Sequence, residues 1–193
     1  MISITGPEAT GAESDLVRLA RQGDGFAWEM LVGEHQAPVF RLAYLLLGEP
    51  DDAQDVAQET FIRAYHALHR FDSERPLRPW LLRIAANLAH NRKRSLRRYL
   101  AALKRLAQER PSQVIFHPQT ADLQPLGEAV GRLKWQHRET IYLRYFLEMS
   151  EVEMADVLGV APGTVKSRLH RALDSLRKLI EQDYPYLKDE LYG

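Results

Sequence analysis

Gly163, Thr164, Lys166, Ser167, His170 and Arg171 bring small, hydroxylated and cationic side chains to one face of a short segment. At about 100° per residue this face lies opposite an apolar stripe of Val165, Leu169, Ala172, Leu176 and Leu179. Small residues at a helix start allow close approach to a nucleic-acid duplex. Arginine, lysine and serine bond base edges or phosphates, and the helix N-terminus itself favours a phosphate. Upstream, Arg92, Lys93, Arg94, Arg97 and Arg98 form a basic run that suits a phosphate backbone without specifying sequence. His66 and His69 are spaced as two metal ligands, but no third ligand accompanies them, so they read as a surface pair. Cysteine is absent, as are a phosphate-cradling glycine loop and a convergent carboxylate set. No catalytic residue, metal or cofactor is therefore expected, and an enzyme has no support.

The elements around the first face explain how it is positioned. Ser150 and Glu153 have the spacing of a capping box, which opens a short helix. Gly159 suits the left-handed residue that ends it, and Pro162 suits the first turn of the next helix. Two helices joined by a glycine-containing turn read as a helix-turn-helix. The alternative, a solvated basic face on an ordinary amphipathic helix, has less support beside this capped partner.

The rest of the chain also reads as helix, so the fold expected is all-α. Segments run from Glu13 to Arg21, from Phe26 to Leu47 with Pro38 marking a kink or restart, and from Asp52 to His69. After a loop from Phe71 to Pro79, a long helix starts, and its basic continuation is expected to break near Leu96 to Tyr99. Prolines 111, 118 and 125 interrupt a stretch without periodicity, which predicts an extended flexible linker. Helices from Leu126 to Leu133 and from Gln136 to Met149 precede the helix-turn-helix. Two helical domains are expected, 13–107 and 125–181, joined by a linker at 108–124.

A net charge of zero conceals a strong polarity. Residues 1–77 carry six basic and thirteen acidic side chains, whereas 78–110 carry ten basic and one acidic. The remainder is near balance. Two kinds of partner surface are implied. No signal peptide and no membrane-crossing apolar run is visible, and the lack of cysteine fits a cytoplasmic protein.

Two separated blocks resemble a known family. Asp52-Ala53-Gln54-Asp55-Val56-Ala57-Gln58-Glu59-Thr60-Phe61-Ile62-Arg63-Ala64-Tyr65, with Arg70-Phe71-Asp72 and Trp80-Leu81-Leu82-Arg83-Ile84-Ala85-Ala86-Asn87, resembles the second region of bacterial sigma factors of the extracytoplasmic-function type. The stretch from Gly163 to Leu173, preceded by Arg138-Glu139 and Leu143-Arg144-Tyr145, is similar to the fourth region. One departure is Lys134 after Leu133, where the family often has proline.

The resemblance implies an initiation subunit that binds core RNA polymerase, through its clamp helices and flap, and binds promoter DNA both as duplex and melted. An anti-sigma factor is a further partner it suggests; membrane insertion is not expected. Asp52, Asp55, Gln58 and Glu59 would meet the polymerase, although by spacing alone they also read as a solvated acidic face. The helix from Pro79 would read the melted minus-ten element. Asn87 and Asn91 share one face with Arg83 and Arg94 nearby; amides suit unpaired base edges and arginines suit phosphates. The loop containing Asp72 and Arg75 lies where the family holds an extruded base. Trp80 fits either a stacking role or a packed core beside Leu81 and Ile84. The face of Gly163, Thr164, Lys166, Ser167, His170 and Arg171 would read the upstream element. The competing reading is a stand-alone helix-turn-helix regulator with a helical sensing domain, which would bind duplex tightly without polymerase.

Overall fold

Every regular element among the described residues of the computed structural model, 7–106 and 124–184, is helical. The first half comprises α1 (Pro7–Arg21), α2 (Gly25–Leu47), α3 (Pro50–Ala67) and α4 (Leu77–Leu106), with a 3₁₀ turn at Leu68–Arg70. The second comprises α5 (Gln124–Arg132), α6 (Trp135–Ile141), α7 (Glu151–Leu158) and α8 (Pro162–Asp183). The expected linker at 108–124 lies outside the described residues except for Gln124, which opens α5.

Local chemistry sets most helix ends. Asp24 accepts from the Ala27 amide at 3.1 Å and starts α2, and Gly48, at φ 87°, ends it. α2 is continuous through Pro38, so no fresh start occurs there. Pro50 opens α3 with Asp51 and Asp52 in the first turn, where carboxylates favour the helix dipole. The capping box forms, with the Ser150 hydroxyl accepting from the Glu153 amide and the Glu153 carboxylate accepting from the Ser150 amide. Gly159 adopts φ 65° at the end of α7.

Two expectations are corrected. α4 does not break near Leu96 to Tyr99 but continues to Leu106. From Trp80 to Leu106 it contains neither glycine nor proline and is rich in alanine, leucine and arginine, all strong helix formers. The helix expected to run to Met149 stops at Ile141 and passes into a wider π turn at Tyr142–Phe146. There the Leu147 amide donates to Tyr142, and that of Met149 to Leu143. Glu148 takes φ 54°, a non-glycine residue in the left-handed region.

α2 packs against α1, α3 and α4, around Leu31, Leu42, Leu46, Leu81 and Leu82. In the second half α8 packs on α6 and α7 through Val165 and Ala172, against a core with Leu143, Met149 and Met154. The halves are in contact: α7 packs on α4, and one apolar cluster includes buried residues from both.

Candidate nucleic-acid and partner interfaces

The stripe on α8 faces inward, with Val165 and Ala172 fully buried and Leu169, Leu176 and Leu179 partly so. Gly163, Thr164, Lys166, Ser167, His170 and Arg171 are all exposed on the outer side. Ala161, before the first turn, offers no side-chain acceptor to compete with an external phosphate. Arg171 folds back along its own helix: its Nε donates to the Ser167 carbonyl at 3.1 Å. Ser167 in turn donates its hydroxyl to the Thr164 carbonyl at 3.0 Å. The fold adds His137 of α6, which no spacing in the sequence connects to this face. Its pKa is lowered by burial and then by the charges of Lys134, Arg171 and Arg168.

On α4, Arg83, Asn87, Asn91 and Arg94 are exposed at successive spacings of four, four and three residues, which makes one row. The row starts beside a cavity of about 200 Å³. Its helix wall is Pro79, Trp80 and Arg83, its loop wall includes Phe71, Asp72 and Arg75, and Asp156 of α7 also lines it. Both readings of Trp80 have a structural counterpart: its ring packs on Phe71 at 4.8 Å and also borders the cavity. The Asp72 carboxylate accepts from the Glu74 amide and its carbonyl from the Arg75 amide, so the loop is an ordered turn.

The second half closes over part of this surface. Arg75 pairs with Asp156 at 2.5 Å, and Arg78 donates to the Leu147 carbonyl at 2.6 Å. A Cβ at Gly159 would lie 3.1 Å from the Arg83 guanidinium. Further along α4, the Trp135 ring meets His90 at 5.3 Å and Lys93 at 5.7 Å, with Arg138 at 5.2 Å. Cations near an indole are favourable contacts.

The acidic face of α3 divides in two. Asp52 and Asp55 clasp Arg92 of α4, at 2.5 and 3.0 Å. Glu59 pairs with Arg63 one turn on, at 2.7 Å. Gln58 is exposed and borders an open groove of about 910 Å³ between α2 and α3. Trp28, Phe40, Phe61, Ile62 and Tyr65 supply its apolar surface, with Ile62 46% and Tyr65 47% exposed. The sequence places Phe61 on the core face of α3 and marks no role for Trp28, Phe40, Ile62 or Tyr65. The available signal was a second apolar set on α3, outside the face that Ala53, Val56, Thr60 and Ala64 bury.

Two polar sites lie apart from these surfaces. Glu139 is buried on α6, and burial pushes its carboxyl up to about 7 against the charges of Arg168 and Arg138. Glu13, Glu34 and His35 approach one another closely enough to hold a metal ion, but both Glu13 oxygens are already hydrogen-bonded. No helix among the described residues is long and apolar enough to cross a membrane.

Comparison with known proteins matches residues 31–99 to Sigma-70 region 2 and residues 123–176 to Sigma-70, region 4. The ECF RNA polymerase sigma factor SigW of Bacillus subtilis is 32% identical, over 84% of this chain and 93% of that protein. SigL of Mycobacterium tuberculosis, also an ECF RNA polymerase sigma factor, is 36% identical over 79% and 88%. Among solved structures, CnrH in complex with the cytosolic domain of CnrY is similar, with a TM-score of 0.68 and 32% identity. That match covers 89% of this chain and 99% of CnrH. The sigma factor RpoE of Bartonella quintana, solved with the anti-sigma factor NepR, gives a TM-score of 0.66 at 26% identity, covering 80% and 97%.

Proposed function

The chain belongs to the sigma-70 family, in its extracytoplasmic-function branch, and from that premise we propose how its surfaces divide the work of starting transcription. It is a sigma factor: it binds core RNA polymerase and directs it to promoter DNA. Members of this family are initiation factors rather than enzymes. The unit at 13–107 docks on polymerase and handles the melted minus-ten element, and the unit at 125–181 reads the upstream element through its helix-turn-helix.

Polymerase docks on the groove between α2 and α3, and the observation that carries this is its chemistry. Exposed Ile62 and Tyr65, with the partly buried Trp28, lie beside the amides of Gln54 and Gln58, an apolar floor with polar edges that suits a packed helical partner. Gln58 and Ile62 contribute directly. Asp52, Asp55 and Glu59 set the charge of the same face, the first two while bracing α3 on Arg92. As polymerase's partner the chain works in the cytoplasm.

The row on α4 reads the melted strand. Asn87 and Asn91 meet base edges, Arg83 and Arg94 the phosphates, and the cavity beside Asp72, Arg75 and Trp80 receives the extruded base. On α8, the exposed face from Gly163 to Arg171 enters the duplex groove. An anti-sigma factor regulates the chain, a reading supported by its likeness to the RpoE solved with NepR. A stand-alone regulator would need neither the groove nor the row on α4.

The docking assignment is tested with Gln58→Lys combined with Ile62→Lys. Both positions are exposed, so the helical circular dichroism spectrum is expected to stay unchanged while co-elution with core polymerase is lost. A folded double variant that still co-elutes at native affinity would remove polymerase from this groove.

A further inference from the structure

α4 begins without a local cap. Its first residue, Leu77, follows Pro76, whose ring offers no hydrogen-bond acceptor. The missing partner comes from α1. The Glu13 carboxylate accepts from the Leu77 amide at 2.9 Å through Oε2, and Oε1 lies 3.0 Å from the His35 Nε2 of α2. The pair is well enclosed, with side-chain exposure of 17% for Glu13 and 6% for His35. Burial would raise the pKa of Glu13, but the His35 and Leu77 hydrogen bonds and the His35 charge hold it below its ordinary value. A charged acceptor at a helix N-terminus is the favourable arrangement.

One carboxylate thus ties α1, α2 and the start of α4 together. Leu77 is the junction between two walls of the cavity. Asp72, Arg75 and Pro76 come just before it, and Pro79, Trp80 and Arg83 just after. Leu77 is itself completely buried, so the junction is fixed in depth by packing and in register by the Glu13 bond. A shift of the first turn of α4 relative to the loop would change the separation of the walls and the tilt of Trp80.

We propose that Glu13 is a positioning residue for promoter opening, setting the junction that frames the cavity for the extruded base without touching DNA itself. This rests on the assignment of that cavity to the melted minus-ten strand. The bond from Leu77 needs an acceptor rather than a charge, so Glu13→Gln retains the function and Glu13→Ala does not.

The test uses full-length chain with core polymerase. The probe is a promoter recovered by wild-type holoenzyme from random-sequence DNA, supplied with its minus-ten segment already unpaired. Binding is compared between the intact strand and strands carrying one abasic site at each minus-ten position in turn. Wild type is expected to discriminate strongly at the position held by the cavity. Glu13→Ala is expected to lose roughly tenfold or more of that discrimination, the scale on which small misplacements of a positioned group act. Its polymerase affinity and its affinity for the upstream duplex are expected to stay at wild-type level, and Glu13→Gln to restore most of the discrimination. An alanine variant that discriminates like wild type would overturn the proposal. So would an equal loss at all positions in step with lost helical signal, or a glutamine variant as defective as alanine. If wild type itself shows no preferred abasic position, the cavity assignment falls and this inference falls with it.

Discussion

Glu139 is a carboxylate whose protonation the fold has shifted, and the sign of its effect on stability can be worked out. Its folded pKa of about 7 stands above the ordinary 4.5 because burial penalises the charge. Between those values the folded state holds a proton that the unfolded state has released. The resulting stabilisation is fully present below pH 4.5 and is lost as pH rises through 7. Glu139→Gln removes that loss. The variant is expected to match wild type near pH 4.5 and to gain up to roughly 3 kcal/mol above pH 7, read by urea denaturation at several pH values. A variant whose advantage does not grow with pH would contradict the assignment. On α8 the residue-level contrast is between Arg171 and Lys166. A bidentate arginine–guanine contact discriminates by about 1–3 kcal/mol. Arg171→Ala is therefore expected to relax preference at one upstream base when bound sites are selected from a randomised element. Lys166→Ala is expected to weaken all sequences alike and to reduce the salt slope by about one. To make its contact Arg171 must leave Ser167, which now holds it against the helix.

At the scale of the element, α4 in its proposed role joins promoter melting to the packing of the first half. Asn87→Ala with Asn91→Ala is expected to leave polymerase binding unchanged and to reduce permanganate reactivity of the minus-ten region by roughly thirtyfold, from two contacts of about 1 kcal/mol each. Unaltered reactivity would return both amides to the status of helix surface. Both asparagines were legible in the sequence, because a face at helical spacing is a local pattern. So was the helix-turn-helix: Ser150, Glu153, Gly159 and Pro162 all act within a few residues of themselves. What stayed hidden depends on distant partners. Arg92 meets Asp52 and Asp55 across about 40 positions, and Arg75 meets Asp156 across 81. Glu13 serves an amide 64 positions away. No periodicity encodes such pairings. Asp52 and Asp55 accordingly read as free docking charges when they also clamp α3 to α4. Reversing Asp55 would disturb that clasp along with any polymerase contact, so Gln58 is the cleaner probe.

At the scale of the whole molecule, α7 packs on α4 and brings the second half against the start of the row proposed to read the minus-ten strand. Arg75, an expected minus-ten residue, is held by Asp156, and Arg83 nests against Gly159. The Arg75–Asp156 pair is partly exposed, at 58% and 37%, so salt screens it. Asp156→Lys is expected to increase the radius of gyration of the free chain in small-angle scattering and to raise its affinity for single-stranded minus-ten DNA. Raising the ionic strength is expected to expand wild type toward the dimensions of the variant. If neither the substitution nor salt moves the scattering profile, the Arg75–Asp156 pair is dispensable and the remaining contacts, among them Arg78 with Leu147 and Trp135 with His90 and Lys93, hold the halves together.

The contact of Trp135 with His90, Lys93 and Arg138 has a consequence for how the chain can be observed. Arg138 stays beside Trp135 on α6, but an indole that loses the imidazole of His90 and the ammonium of Lys93 emits differently. The protein has three tryptophans, and each borders a different surface: Trp28 in the α2–α3 groove, Trp80 at the cavity and Trp135 between the halves. Chains that keep one tryptophan and carry phenylalanine at the other two positions would therefore give three unlabelled optical channels. The first would respond to polymerase, the second to base capture and the third to separation of the halves. Their order in a stopped-flow trace would give the sequence of events from free factor to open promoter.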